Sequence, residues 1–210
     1  MFSVIINDKT FSLSDKTPIK DLINPEESKK YFAAKVNNRL RELTYELCFD
    51  SNVELLDATH HDAIKVYETS LRYLLALAFK NLYPDYIVRI SYNISRSLMV
   101  SILEPDNVVV DSKMVKAIKN ELDRLVGLDI PFTRKTISKE EARNYYLDNN
   151  YFDKEAILRY RPERNCHVYV CGDYENYMYG YMVPSTGYIK EYNMFTYDEK
   201  QILEAWKRYA

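Results

Sequence analysis

Tyr177-Met-Tyr-Gly-Tyr-Met-Val-Pro-Ser-Thr-Gly-Tyr-Ile-Lys-Glu-Tyr-Asn-Met-Phe195 is the stretch on which the reading of this chain turns. Aromatic and apolar residues alternate with polar ones on both sides of Val183-Pro-Ser-Thr-Gly187. Such alternation predicts two strands joined by a turn, with Pro184 presetting φ and Gly187 supplying a positive φ. Two of the chain's four glycines, Gly180 and Gly187, lie here. In so glycine-poor a chain each marks a place where a missing Cβ is needed. The expected hairpin would form one wall of a cleft, and a helix far upstream would form the other.

That helix follows a β-rich start. Phe2–Asn7 and Thr10–Leu13 read as strands around an Asn7-Asp8-Lys9 turn, Phe32–Val36 as a third and Asn52–Leu56 as a fourth. Pro18 can open a helix with Ile19, Leu22 and Ile23 on its apolar face. After a polar link, apolar residues from Ile64 to Leu82 recur at threes and fours, so a long helix with one broad buried face is expected, ended by Pro84.

Tyr86–Asn93 and Leu98–Leu103 alternate like paired antiparallel strands. Asp111 or Ser112 can cap a helix to about Val126, with Gly127 as its stop. Phe132–Ile137 reads as a strand and Ser138-Lys-Glu-Glu141 as a capping box opening a helix to Leu147. A helix over Asp153–Arg159 and a strand over Asn165–Val170 follow. Tyr197–Tyr209 reads as a terminal helix with Ile202, Leu203 and Trp206 facing inward.

The bulk properties are those of an ordinary globular chain: 210 residues, 47% apolar, 29% charged, net charge −2. So small a net charge gives no general attraction to nucleic acid or anionic membrane. No apolar run suits a membrane span, and the start lacks a basic signal-peptide region, so a cytoplasmic location without membrane partners is expected. Cys48, Cys166 and Cys171 cannot all pair and no CxxC occurs; reduced structural thiols are expected. Cys166 and Cys171 are five apart on one strand, on opposite faces, which disfavours a shared zinc.

The first 57 residues, with Val36-Asn-Asn-Arg-Leu40 and Ser51-Asn-Val-Glu-Leu-Leu-Asp57, resemble the TGS domain, a ubiquitin-like β-grasp module. The helix Tyr67–Pro84, Ser138-Lys-Glu-Glu-Ala-Arg143, Lys154-Glu-Ala-Ile-Leu158 and Val183-Pro-Ser-Thr-Gly-Tyr-Ile189 are similar, in that order, to the editing (second additional) domain of threonyl- and alanyl-tRNA synthetases. The implied fold class is α+β: a TGS-like β-grasp domain over 1–57, then an editing-like domain over 58–210 whose mainly antiparallel sheet packs on helices.

In active members of that family the helix carries two histidines four apart and the later segment a Cys and a His four apart, a ligand-type constellation beside the ester of a misacylated tRNA. The matching positions here are Thr69, Tyr73, Met178 and Met182. None offers an imidazole, and Met is at most a soft ligand. His60 and His61 read as solvated or helix-start residues, and His167 as a half-buried structural one. No catalytic residue and no metal site are expected.

The Tyr-rich segment also resembles bacterial uridine kinase-like proteins, in which a TGS domain and an altered editing-like domain precede an ATP-binding kinase domain. The chain has no GxxxxGK[ST] phosphate cradle. The resemblance therefore implies a C-terminal kinase domain as partner outside this chain, with ATP and Mg belonging there and no cofactor here.

Three functions are consistent with these features. One is a non-catalytic regulatory module whose altered pocket, lined by Thr69, Tyr73, Met178, Tyr179, Tyr181 and Met182, either stacks a nucleoside or nucleotide or is filled by its own side chains. A second is RNA binding through Lys29, Lys30, Lys35, Arg39 and Arg41, or through Lys113, Lys116, Lys119 and Arg124. The third is residual aminoacyl-tRNA deacylation around Thr69 and Ser70, for which no activating base is evident. The ligand and any oligomeric state stay open.

Overall fold

The computed structural model describes residues 1–94, 97–105, 108–148, 152–160, 162, 164–198 and 201–205. Its strands are β1 (Phe2–Ile6), β2 (Lys9–Leu13), β3 (Thr17–Pro18), β4 (Tyr31–Val36), β5 (Arg39–Arg41), β6 (Glu46–Leu47) and β7 (Ser51–Asp57). Helix α1 (His61–Leu82) leads to β8 (Ile87–Ile94) and β9 (Ser97–Glu104), then to α2 (Ser112–Leu128). Next come β10 (Thr133–Ser138), α3 (Lys139–Asp148), α4 (Phe152–Arg159), β11 (Asn165–Cys171) and β12 (Tyr174–Tyr177). Strands β13 (Asn193–Asp198) and β14 (Gln201–Ala205) follow a 3₁₀ turn at Thr186–Tyr188. The class is α+β, with mainly antiparallel sheets.

By its contacts the chain forms two compact units, residues 1–131 with 180–210, and residues 132–179. In the larger unit, β2-β1-β7-β4-β5 make a mixed sheet whose β1 and β7 run parallel. Two short turns hold its hairpins. Asn7-Asp8 and Asn37-Asn38 all have positive φ, the type I′ geometry that Asn and Asp tolerate and that matches strand twist. Ile6, Val53 and Val36 lie in register on one face, all nearly fully buried. The expected helix at Pro18 is only one 3₁₀ turn, Ile19–Leu22, whose Ile19 is fully buried. Four residues suffice to bring that side chain to the core.

Helix α1 starts three residues earlier than its apolar pattern suggested, because His60 caps it through Nδ1, which accepts from the Asp62 N–H at 3.1 Å. Ala63, Val66, Leu71, Leu74, Leu75, Ala78 and Phe79 are buried along it, as the threes and fours require. Asp111 caps α2, accepting from Met114 N–H at 2.8 Å. The stop differs from expectation: Gly127 stays inside the last turn and Asp129 takes the left-handed cap (φ 50°, ψ 44°). Asp can adopt that conformation, and its carboxylate is needed there.

The second sheet of this unit runs β13-β14-β9-β8, all antiparallel. It overturns the expected terminal helix. Ile202 and Leu203 are adjacent, a spacing that suits either period, and pairing of Gln201–Ala205 along β9 decides for a strand. The remainder of that expected helix, Trp206–Tyr209, lies outside the described residues. It overturns the expected 177–195 hairpin too. Strand β12 pairs with β11 and β13 with β14, so the residues between them connect two sheets.

In the smaller unit β10-β11-β12 form an antiparallel sheet. Cys166 of β11 packs with Ala142, Tyr146 and Leu158 of the two helices. The capping box is present: Ser138 N–H donates to Glu141 Oε2 at 2.7 Å, and Glu141 N–H to Ser138 Oγ at 3.1 Å. Glu155, 2% exposed, accepts from Arg143 Nε and Arg159 Nε. Burial pushes the Cys171 thiol up to about 11, so it stays protonated. His167 is exposed, not half-buried, and meets its register partner Thr136 at 3.2 Å.

Replacing Asp111 by Ala removes the acceptor for Met114 N–H and should cost about 1 kcal/mol, while Asn should retain most of it. Urea unfolding of the two variants measures the difference.

Candidate functional site

The connector from Gly180 to Tyr192 lies outside any strand ladder, and hydroxyls of α1 and of its own Thr186 meet much of the backbone demand. Ser70, fully buried, donates its hydroxyl to Val66 O at 2.7 Å and accepts Val183 N–H at 2.9 Å. Tyr67 OH donates to Glu191 O at 3.0 Å and accepts Glu191 N–H at 2.9 Å. Thr186, also fully buried, donates its hydroxyl to Leu125 O at 2.6 Å and accepts Ile130 N–H at 2.9 Å. Its own N–H donates to Ile130 O. These hydroxyls and one isolated antiparallel bridge, Ser185 to Pro131, lay the connector on the helices.

Asp129 is the tightest point. Its carboxylate accepts from Lys29 Nζ at 2.6 Å, from Ser185 Oγ, and from Gly187 N–H at 3.1 Å. One side chain thus joins the 3₁₀ turn Ser28–Lys30, the end of α2 and the connector. A Cβ on Gly187 would fall onto this carboxylate and the Lys29 ammonium. Close approach requires this glycine; its φ is not positive, contrary to the turn geometry expected from sequence.

Burial alone would raise the Asp129 carboxyl. The hydrogen bonds from Lys29 and Ser185, the Lys29 charge and the Gly187 N–H outweigh it and hold the group below the usual carboxylate range. A folded-state value below the unfolded one means that the stabilisation is complete above the unfolded value. It is lost as pH falls through the depressed one.

Of the residues singled out from sequence, the larger unit holds four. Thr69 donates to Lys65 O at 2.8 Å, and a Cβ on Gly180 would lie 3.0 Å from its Oγ1. Tyr181 OH accepts a long, 3.4 Å contact from Arg41 Nη1. Tyr73 is 0% exposed and Met182 1%, so neither presents a surface to solvent. In the smaller unit Met178 is half-buried and Tyr179 is 92% exposed. Two hydroxyls and two thioethers do not fit the zinc-type ligand set of active editing sites.

The basic residues divide. Lys29 is bound to Asp129; Lys35 Nζ lies 3.0 Å from His60 Nε2 and 3.8 Å from Glu54; Arg41 sits over the Tyr45 ring. These side chains hold the fold together. On α2, Arg124 pairs with Glu121 and Lys119 with Asp123, while Lys113 and Lys116 are exposed. Sequence reasoning missed Asp129, Ser70 and Tyr67 as the connector's anchors. The signal for Asp129 was weak: a residue able to adopt positive φ just after an apolar helix stripe.

No protein-family model matches the chain. It is similar to the threonine–tRNA ligase of Lactococcus lactis subsp. lactis (strain IL1403), 29% identical over 174 residues, 82% of this chain and 26% of that protein. With threonine–tRNA ligase 1 of Bacillus subtilis (strain 168) it shares 27% identity over 175 residues, 83% of this chain and 27% of the relative. With the threonine–tRNA ligase of Staphylococcus saprophyticus subsp. saprophyticus it shares 28% over 192 residues, 90% and 29%. The chain therefore spans 26–29% of the length of these curated relatives. Similarity over most of the chain supports a region of the threonyl-tRNA synthetase N-terminal type. It lends no support to the uridine kinase relation.

Gly187→Ala should cost about 1–3 kcal/mol, because the added carbon must displace a carboxylate already bound three ways. Asp129→Asn should lower stability at neutral pH, and the gap to the parent should narrow as pH falls below the usual carboxylate range, where the parent's depressed carboxyl takes up its proton. Urea unfolding at neutral and at acidic pH tests both the direction and the assignment.

Proposed function

We propose that this chain is an accessory region of the threonyl-tRNA synthetase type that binds tRNA without deacylating it. The observation that carries the reading is similarity to threonine–tRNA ligases across 82–90% of the chain. The relatives' name makes tRNA the RNA to test. On this reading residues 1–57 act as a TGS-like unit and 58–210 as an editing-like domain without editing chemistry.

Local geometry supports the non-hydrolytic part. Ser70 spends both hydroxyl functions on backbone partners, and Thr69 Oγ1 donates to Lys65 O. A hydroxyl already donating its proton to a carbonyl has no base to activate it. Tyr73 and Met182, at 0% and 1% exposure, serve as packing. The Tyr73 ring is therefore not offered to a stacking nucleoside. A role beside a kinase domain rests on the Tyr-rich segment alone, and the relatives found do not favour it.

The test is tRNA binding by fluorescence anisotropy across a salt series, with deacylation of misacylated threonine tRNA followed in parallel. Binding should weaken linearly in log–log form as salt rises, with hydrolysis at the buffer rate. No binding at low salt rejects the reading. Hydrolysis above the buffer rate that falls in Thr69→Ala would replace it with an editing function.

A further inference from the structure

If the chain binds RNA, the basic residues free to meet phosphates matter more than their number. Lys29, Lys35 and Arg41 are occupied within the fold, and Arg124 forms two hydrogen bonds to the Glu121 carboxylate. Lys113 and Lys116 are exposed at the start of α2, and no hydrogen bond or ion pair engages either among the described residues. Lys113 stands in the first turn of α2, which holds no carboxylate beyond the Asp111 cap, so its charge adds nothing to that helix end.

Lys119 continues the series at the same spacing, so the three climb one side of the helix. Its ammonium lies 5.7 Å from the Tyr192 ring centroid and 2.7 Å from Asp123, and Tyr192 OH donates to Asp123 at 2.6 Å. Lys119 is thus held by Asp123, while exposed lysines unpaired among the described residues are the chemistry of a surface that follows a sugar–phosphate backbone. Resting on the tRNA-binding reading, we propose that the first two turns of α2, through Lys113 and Lys116, form the contact surface for the RNA phosphate backbone. The contact is electrostatic and indifferent to base sequence.

The experiment compares the parent chain with the Lys113→Glu/Lys116→Glu pair and with Lys9→Glu/Lys16→Glu, an equal charge change at exposed lysines of β2 and the loop after it. The α2 pair should weaken tRNA binding by about tenfold or more and flatten the log–log salt slope by about two. Its melting temperature should not fall, since carboxylates suit that helix end. The control pair should move the slope little. Equal losses in both pairs would mean that only net charge matters and would overturn the surface. An unchanged slope in the α2 pair would overturn it while leaving tRNA binding intact. Absence of binding by the parent would instead remove the reading on which the surface rests. Binding to anionic vesicles that is lost in the α2 pair while tRNA binding persists would reassign the surface to lipid.

Discussion

The Asp129 carboxylate is the constraint from which the rest of the larger unit follows. It ends α2 in a left-handed cap, neutralises Lys29 of the first sheet's connecting turn, and receives the Ser185 hydroxyl and the Gly187 N–H. A carboxylate that accepts several hydrogen bonds, some charged, is worth more than neutral contacts would be, and its geometry leaves little freedom to its donors. That is why a glycine stands at 187.

The same logic explains the hydroxyls of α1. Polar side chains within a buried helix face are costly unless they bond, and Ser70 and Tyr67 each bond twice to the connector or to their own helix. The helix is in this way an anchor for the connector. Beside these anchors the Thr69 hydroxyl is turned onto Lys65 O and the Tyr73 ring is fully buried.

Much of the architecture was legible from residue order. The Asn-rich turns, the α1 periodicity, the Asp111 cap and the Ser138–Glu141 box each depend on residues close in sequence, and each stands where the pattern placed it. The errors share one cause. For 177–195 and 197–209 the local pattern was compatible with more than one pairing, and the partner strands, β11 and β9, lie far away in the chain.

The sequence by itself determined the α+β class, the long amphipathic helix, the capped helix starts, and the lack of imidazoles at the positions matching an editing site. These follow from short-range sterics, capping and side-chain chemistry, which need no knowledge of neighbours. Only the tertiary structure decided that the Tyr-rich segment is a connector, that Lys29, Lys35 and Arg41 are engaged within the fold while Lys113 and Lys116 are unpaired among the described residues, and that Gly187 lies against a carboxylate. Those outcomes depend on which groups meet across separations such as the 100 residues between Lys29 and Asp129, where packing and electrostatics, not local preference, select the partner.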